Sequence, residues 1–171
     1  MQKLSISDAS GLAQKIIEAY GAKKQKIVTA ESCTGGMIAA SLTDVPGSSA
    51  VFERGFITYS NEAKVELLGV LPDTISVYGA VSAETAEAMA QGALEYSHAD
   101  VAISVTGIAG PTGALPDKPV GLVYIGVATR TGANFHCRFE FTGDRSEIRS
   151  EARKEALNLL HSMADQSQGR S

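Results

Sequence analysis

The chain has 171 residues, enough to bury a sizeable core, and at 44% hydrophobic and 20% charged it has the composition of an ordinary globular protein. A formal net charge of -4 gives no general attraction to nucleic acid or to anionic lipid, so an anionic ligand needs a local site. No apolar run reaches membrane-span length, residues 1–5 lack the apolar stretch of a secretion signal, and two cysteines, Cys33 and Cys137, make no disulfide framework; cytoplasmic residence is the simplest expectation.

In chain order, a first helix is predicted over about residues 7–20, where Leu12, Ile16, Ile17 and Tyr20 recur at helical spacing and Gly21 reads as a stop. A strand over 26–30 runs into the corner TAESCTGG, residues 29–36, which feeds a second helix ending near Thr43. Residues 44–49 read as a loop, and 52–59 as a strand weakened by Gly55. Ser60 and Asn61 start a short helix over 62–68 that Gly69 ends, and 72–78 supply another helical stretch. Ser82 caps an amphipathic helix with Ala86, Met89, Ala90, Ala93 and Leu94 on one face. A buried strand over 100–106 leads into a glycine-rich loop, 107–113. Two strands, 120–130 and 134–141, are joined by a hairpin link at 131–133, and in the second Phe135, Cys137, Phe139 and Phe141 alternate with polar residues. Asp144 and Glu147 have capping-box spacing before a last helix carrying Ile148, Ala152, Ala156, Leu159, Leu160 and Met163. Helices interspersed with strands predict an α/β fold, a three-layer sandwich with a mixed β-sheet flanked by helices. One domain over 1–164 is expected, with 165–171 as a polar tail.

The TAESCTGG corner is the first candidate site. A strand-to-helix turn offers backbone N–H groups with no intrahelical partner, and Gly35 and Gly36 let a ligand approach them. Ser32 there is either a helix cap or a nucleophile beside an oxyanion hole. Cys33 is either a rival nucleophile or a small packing residue. A base is needed, and the three histidines fit surface or helix-end roles: His136 lies on the polar face of its strand, and His98 and His161 near helix ends. Lysine is the other option. Lys64 falls in the first turn of a helix, where the dipole disfavours a cation; it is either a solvated surface residue or a buried base with Tyr59 beside it. The loop after Thr106 and Gly107, and Arg145 with Arg149 near a helix start, are candidates for an anion, against bland readings as connection and surface charge. No H-x-x-x-H or C-x-x-C pair argues for a metal, and no cofactor motif is present.

TAESCTGG, PGSSAVFERGFITYSNEAK, GAVS, SVTGIAGP, KPVGLVY and FTGDR follow in this order, and together they resemble the CinA C-terminal domain family, the nicotinamide mononucleotide amidohydrolases, over nearly the whole chain. The resemblance implies a three-layer α/β fold and hydrolysis of nicotinamide mononucleotide to nicotinate mononucleotide and ammonia, a recycling step in pyridine nucleotide metabolism. It implies a serine–lysine dyad without metal, which maps onto Ser32 and Lys64. Larger members carry an extra N-terminal domain whose pyrophosphatase-type activity is not expected here. On this expectation the amides of Cys33 and Thr34 hold the oxyanion and Tyr59 orients Lys64. Glu31, Gly35, Gly36, Ser48, Thr106, Gly107, Arg145 and Arg149 contact the substrate, with Ser48 or Ser49 as an alternative nucleophile. The partner is then a small nucleotide, with neither nucleic acid nor membrane, and the apolar helix faces are compatible with a homodimer. The competing readings are a non-catalytic nucleotide-binding or regulatory module and an amidase for another small amide.

Overall fold

The computed structural model describes residues 6–166. Among them the order is α1 (Ile6–Ala22), β1 (Ile27–Glu31), α2 (Met37–Thr43), β2 (Phe52–Ile57), α3 (Asn61–Leu68), α4 (Pro72–Tyr78), α5 (Ala83–Glu95), β3 (Val101–Gly107), β4 (Leu122–Thr129), β5 (Asn134–Glu140) and α6 (Arg145–Gln166). The sheet runs β2-β1-β3-β4-β5, with the first three strands parallel and the last two antiparallel. This is the expected mixed sheet. One of its faces packs on α1, α2 and α6 through Ile16, Ile38, Ile103, Ile125, Ile148 and Leu160. The other packs on α3 and α5 through Val28, Leu68, Met89, Ala93 and Ala102. No helix among the described residues is long and apolar enough to cross a membrane.

Several ends differ from the sequence pattern for local reasons. Helix α1 continues past Gly21 to Ala22 and stops through Lys24, whose φ is 54°. There the Gln25 and Lys24 amides donate to the Tyr20 and Gly21 carbonyls, the paired bonds of a Schellman end. A single 3-10 turn, Ser48–Ala50, occupies part of the predicted loop. Helix α6 runs into the start of the predicted polar tail, and 167–171 lie outside the described residues. Gly55 is inside β2, where a Cβ would lie 2.7 Å from Thr29 Oγ1.

Caps set the elements that bear on function. Ser60 Oγ accepts from the Ala63 amide at the start of α3, and Ser82 Oγ from the Thr85 amide at the start of α5. At α6 the capping box is reciprocal: the Glu147 amide donates to Asp144 Oδ1, and the Asp144 amide to Glu147 Oε2. Asp144→Ala is expected to lose about 1 kcal/mol, a fall in Tm of roughly 2–4 °C by thermal melt. An unchanged Tm would mean that this exposed box contributes nothing.

From β1 the chain passes through α2 to β2 on one side, then returns through helices on the other face to β3 on the opposite side of β1. The strand order thus reverses at β1, and a crevice opens beyond the C-terminal ends of β1 and β3.

Candidate active site

Glu31 ends β1, and the Ser32 amide donates to the Val105 carbonyl at 2.9 Å, which holds the turn against β3. The helix that follows begins at Gly36, which has no side chain to cap it. Glu31 supplies the cap instead. Its fully buried carboxylate accepts from the Ile38 amide at 3.0 Å and the Ala39 amide at 3.1 Å. The expected substrate contact at Glu31 is therefore corrected: both oxygens are engaged by helix amides, and the residue does not line the crevice. Gly35 and Gly36 have φ of 58° and 102°, and a Cβ on Gly36 would lie 3.1 Å from Ile57 Cδ1. The pair serves the turn itself, since L side chains rarely adopt that backbone. The amides of Cys33 and Thr34 are not engaged by any backbone carbonyl among the described residues. Of these two expected oxyanion contacts, Cys33 lines the crevice; Thr34 is fully buried and does not, which corrects its expected role.

Lys64 is 1% exposed and lies with Leu68 on the buried face of α3. Its amine reaches back to the corner. Nζ stands 3.1 Å from Ser32 Oγ, 2.8 Å from the Thr58 carbonyl and 3.4 Å from the Tyr59 carbonyl. Burial pulls the lysine pKa down, against a smaller opposing influence of Cys33. As a donor, Nζ faces Ser32 Oγ and the Thr58, Tyr59 and Ser60 carbonyls; in its neutral form the amine can turn its lone pair to the Ser32 hydroxyl and keep N–H groups for the carbonyls. Cys33 is buried too, and burial raises its thiol to about 11, with Arg149 and Lys64 acting in the opposite sense. At neutral pH the thiol is therefore protonated, and no base stands against it as Lys64 stands against Ser32 among the described residues. The Ser32 hydroxyl is the better-placed nucleophile.

These groups form the floor of a cleft of about 240 Å³. Asn61, Ala80, Val81 and the loop from Thr106 to Gly113 wall it, and Arg145 stands at its mouth. Thr106 and Gly107 line the cleft, and the Thr106 hydroxyl donates to the Ala80 carbonyl at 2.7 Å and so ties two walls together. Tyr59 lines the cleft, yet its phenol accepts from Arg145 Nη2 at 2.7 Å; only its backbone carbonyl meets Lys64. Arg145 Nη1 donates to the Gly110 carbonyl at 2.9 Å.

Other expected contacts are absent from the cleft. Arg149 lies behind the turn, its Nε donating to the Cys33 carbonyl at 2.9 Å and its Nη2 to the Thr34 carbonyl at 3.2 Å. Ser48 and Ser49 precede β2, which pairs Phe52 with Ile27 at the far end of β1. Five residues at about 3.3 Å each put that end of β1 roughly 16 Å from Ser32, and Ser48 and Ser49 lie beyond it in the chain before β2. They fit neither a nucleophile nor a substrate contact. His136 is exposed, with Nδ1 2.7 Å from Glu87 Oε1. No histidine lines the cleft. The walls Asn61, Ala80 and Val81 escaped sequence reasoning, although the YSNEAK and GAVS motifs contain them.

Fold and cleft define a class: a three-layer α/β protein with a crevice at the ends of parallel strands, holding a serine hydroxyl against a buried amine. The chain belongs to the CinA C-terminal domain family, which residues 9–164 match. It is 46% identical over 154 residues to the nicotinamide-nucleotide amidohydrolase PncC of Escherichia coli (strain K12), covering 90% of this chain and 93% of that protein. It is 56% identical over 153 residues to a putative competence-damage inducible protein of Caldicellulosiruptor saccharolyticus, but there the match spans 37% of the relative's length against 90% of this chain. The crystal structure of the competence/damage inducible protein CihA from Agrobacterium tumefaciens superposes with a TM-score of 0.90 at 45% identity, covering 94% of this chain and 98% of that one.

Proposed function

We propose that the chain hydrolyses the carboxamide of nicotinamide mononucleotide to nicotinate mononucleotide and ammonia. The observation that carries this reading is the Lys64 amine 3.1 Å from Ser32 Oγ on the cleft floor. Likeness to a nicotinamide-nucleotide amidohydrolase over 90% of the chain supports the choice of amide.

Ser32 Oγ attacks the carboxamide carbon as its proton passes to neutral Lys64. The oxyanion that forms lies beside the Cys33 amide. Lys64 then returns the proton to the departing nitrogen, the C–N bond breaks, and ammonia leaves a serine ester. Water attacks the ester as Lys64 takes one of its protons, the bond to Ser32 Oγ breaks as Lys64 hands that proton to the leaving serine oxygen, and the product acid loses its remaining proton to solvent and departs as the carboxylate. Arg145, with N–H groups left over from Gly110 and Tyr59, suits the nucleotide phosphate at the cleft mouth. The Tyr59 carbonyl helps to orient Lys64.

The test is ammonia release from the purified protein and nicotinamide mononucleotide with a chelator present. Release matched by nicotinate mononucleotide, unaffected by the chelator, is expected. Cys33→Ala should keep its rate to within about threefold, because the buried thiol is protonated at neutral pH. A folded wild type that binds the nucleotide and releases no ammonia would instead be a binding module.

A further inference from the structure

We infer that Arg149 is a positioning residue for this hydrolysis: its guanidinium fixes the peptide between Cys33 and Thr34 and so holds Ser32 and the Cys33 N–H, which precede that peptide, in place at the cleft. The inference rests on the amidase reading above and adds how its oxyanion site is built.

Arg149 lies one helical turn beyond Arg145 on α6, yet the two side chains reach opposite sides of the serine turn. Arg145 lines the cleft and Arg149 does not, whereas Ser32 and Cys33 do. The Arg149 guanidinium grips two successive carbonyls, those of Cys33 and Thr34. Among the described residues it makes no ion pair with a carboxylate.

The turn needs such a hold. Gly35 and Gly36 follow directly, and glycines leave neighbouring peptide planes free to rotate. A flipped 33–34 peptide would displace Ser32 and the Cys33 N–H, which line the cleft directly before it. Glu31 fixes the other end of the turn through the Ile38 and Ala39 amides. Of the two side chains, Arg149 is the one that holds the 33–34 peptide itself. The positive charge behind the turn also favours an oxyanion in front of it.

The test compares Arg149→Ala and Arg149→Lys with wild type in ammonia release from nicotinamide mononucleotide, with and without added guanidinium ion. In Arg149→Ala, kcat is expected to fall about 100-fold or more, the size of losing one oxyanion donor, with KM changed by less than about threefold. Millimolar guanidinium should restore part of the Ala variant's rate and leave wild type unchanged. Arg149→Lys, with a single charged donor group, should fall between. A rise of about tenfold in KM with kcat preserved would make Arg149 a substrate contact and overturn the inference. So would a loss of kcat that tracks a lowered Tm and resists guanidinium. If the Ala variant does not fold, the Lys variant decides alone: unchanged kcat overturns the inference, and lowered kcat at constant KM sustains it. A wild type that releases no ammonia removes the amidase reading first, and that control separates the two failures.

Discussion

Lys64→Met is expected to be folded and inert. Among the described residues the amine is the one base within reach of Ser32 Oγ, so its loss should lower kcat by about 10⁴-fold or more. The fold has less at stake. Methionine matches the long unbranched stem that lies buried on α3. Two terms then oppose. Removing a desolvated amine relieves a penalty, while the Thr58 and Tyr59 carbonyls lose a donor, at about 1–3 kcal/mol for a buried acceptor. They are similar in size, so Tm should move by only a few degrees. Ser32→Ala should be equally inactive, and the double variant no worse than either single one, because groups that act as a unit are not additive. Appreciable ammonia release from Lys64→Met would end the dyad.

The same lysine sets the pH response. Only its neutral form accepts the serine proton, so kcat/KM should rise tenfold per pH unit and level off at the pKa of Lys64 in the free enzyme. Burial holds that pKa below the ordinary 10.5. The unfolded chain keeps the ordinary value, so between the two pKa values it binds more protons than the folded state, and stability rises with pH in that window. Lys64→Met lacks this dependence. Wild type should therefore gain stability relative to the variant as pH climbs toward 10.5. A rate that still climbs beyond the ordinary lysine value would mean that burial does not set the base.

Local signals revealed the frame of this site, and tertiary geometry supplied its details. Ser60, Gly69 and Ser82 are caps that act within a few residues, so the starts of α3 and α5 and the end of α3 could be read directly. Lys64 stood out because a cation in a first turn breaks a local rule, and the structure shows the reason: the side chain leaves solvent for the serine. Glu31 was misread because its partners are amides seven and eight residues on, brought back only by the positive φ of Gly35 and Gly36. Arg145 and Arg149 looked alike as neighbouring cations on one helix. The fold sends one to the cleft mouth and the other behind the turn, a distinction that depends on α6 crossing a segment more than a hundred residues earlier. Ser48 and Ser49 lie near the corner in sequence and at the other end of β1 in space.

Gly92→Ala should damage stability and activity together, against the usual helix rule. In an exposed helix interior the change gains about 1 kcal/mol, and Gly11→Ala in α1, where a Cβ meets nothing within 4 Å, is expected to show that gain. Gly92 is different. It is buried in α5, where a Cβ would lie 1.9 Å from the Leu68 carbonyl oxygen and 2.8 Å from its carbon. Both are backbone atoms of the last residue of α3, so no side chain can rotate aside. Helix α3 must shift, and overpacking of this kind costs about 3 kcal/mol or more. That outweighs the propensity gain and lowers Tm by roughly 6 °C or more. Because α3 carries Lys64, a shift of about an ångström also lengthens the 3.1 Å contact with Ser32, so the folded fraction should lose activity as well. Melting curves and single-turnover rates on the two alanine variants would separate the effects. If Gly92→Ala melted like wild type and kept its rate, close packing of α3 on α5 would not be what holds the amine at the serine.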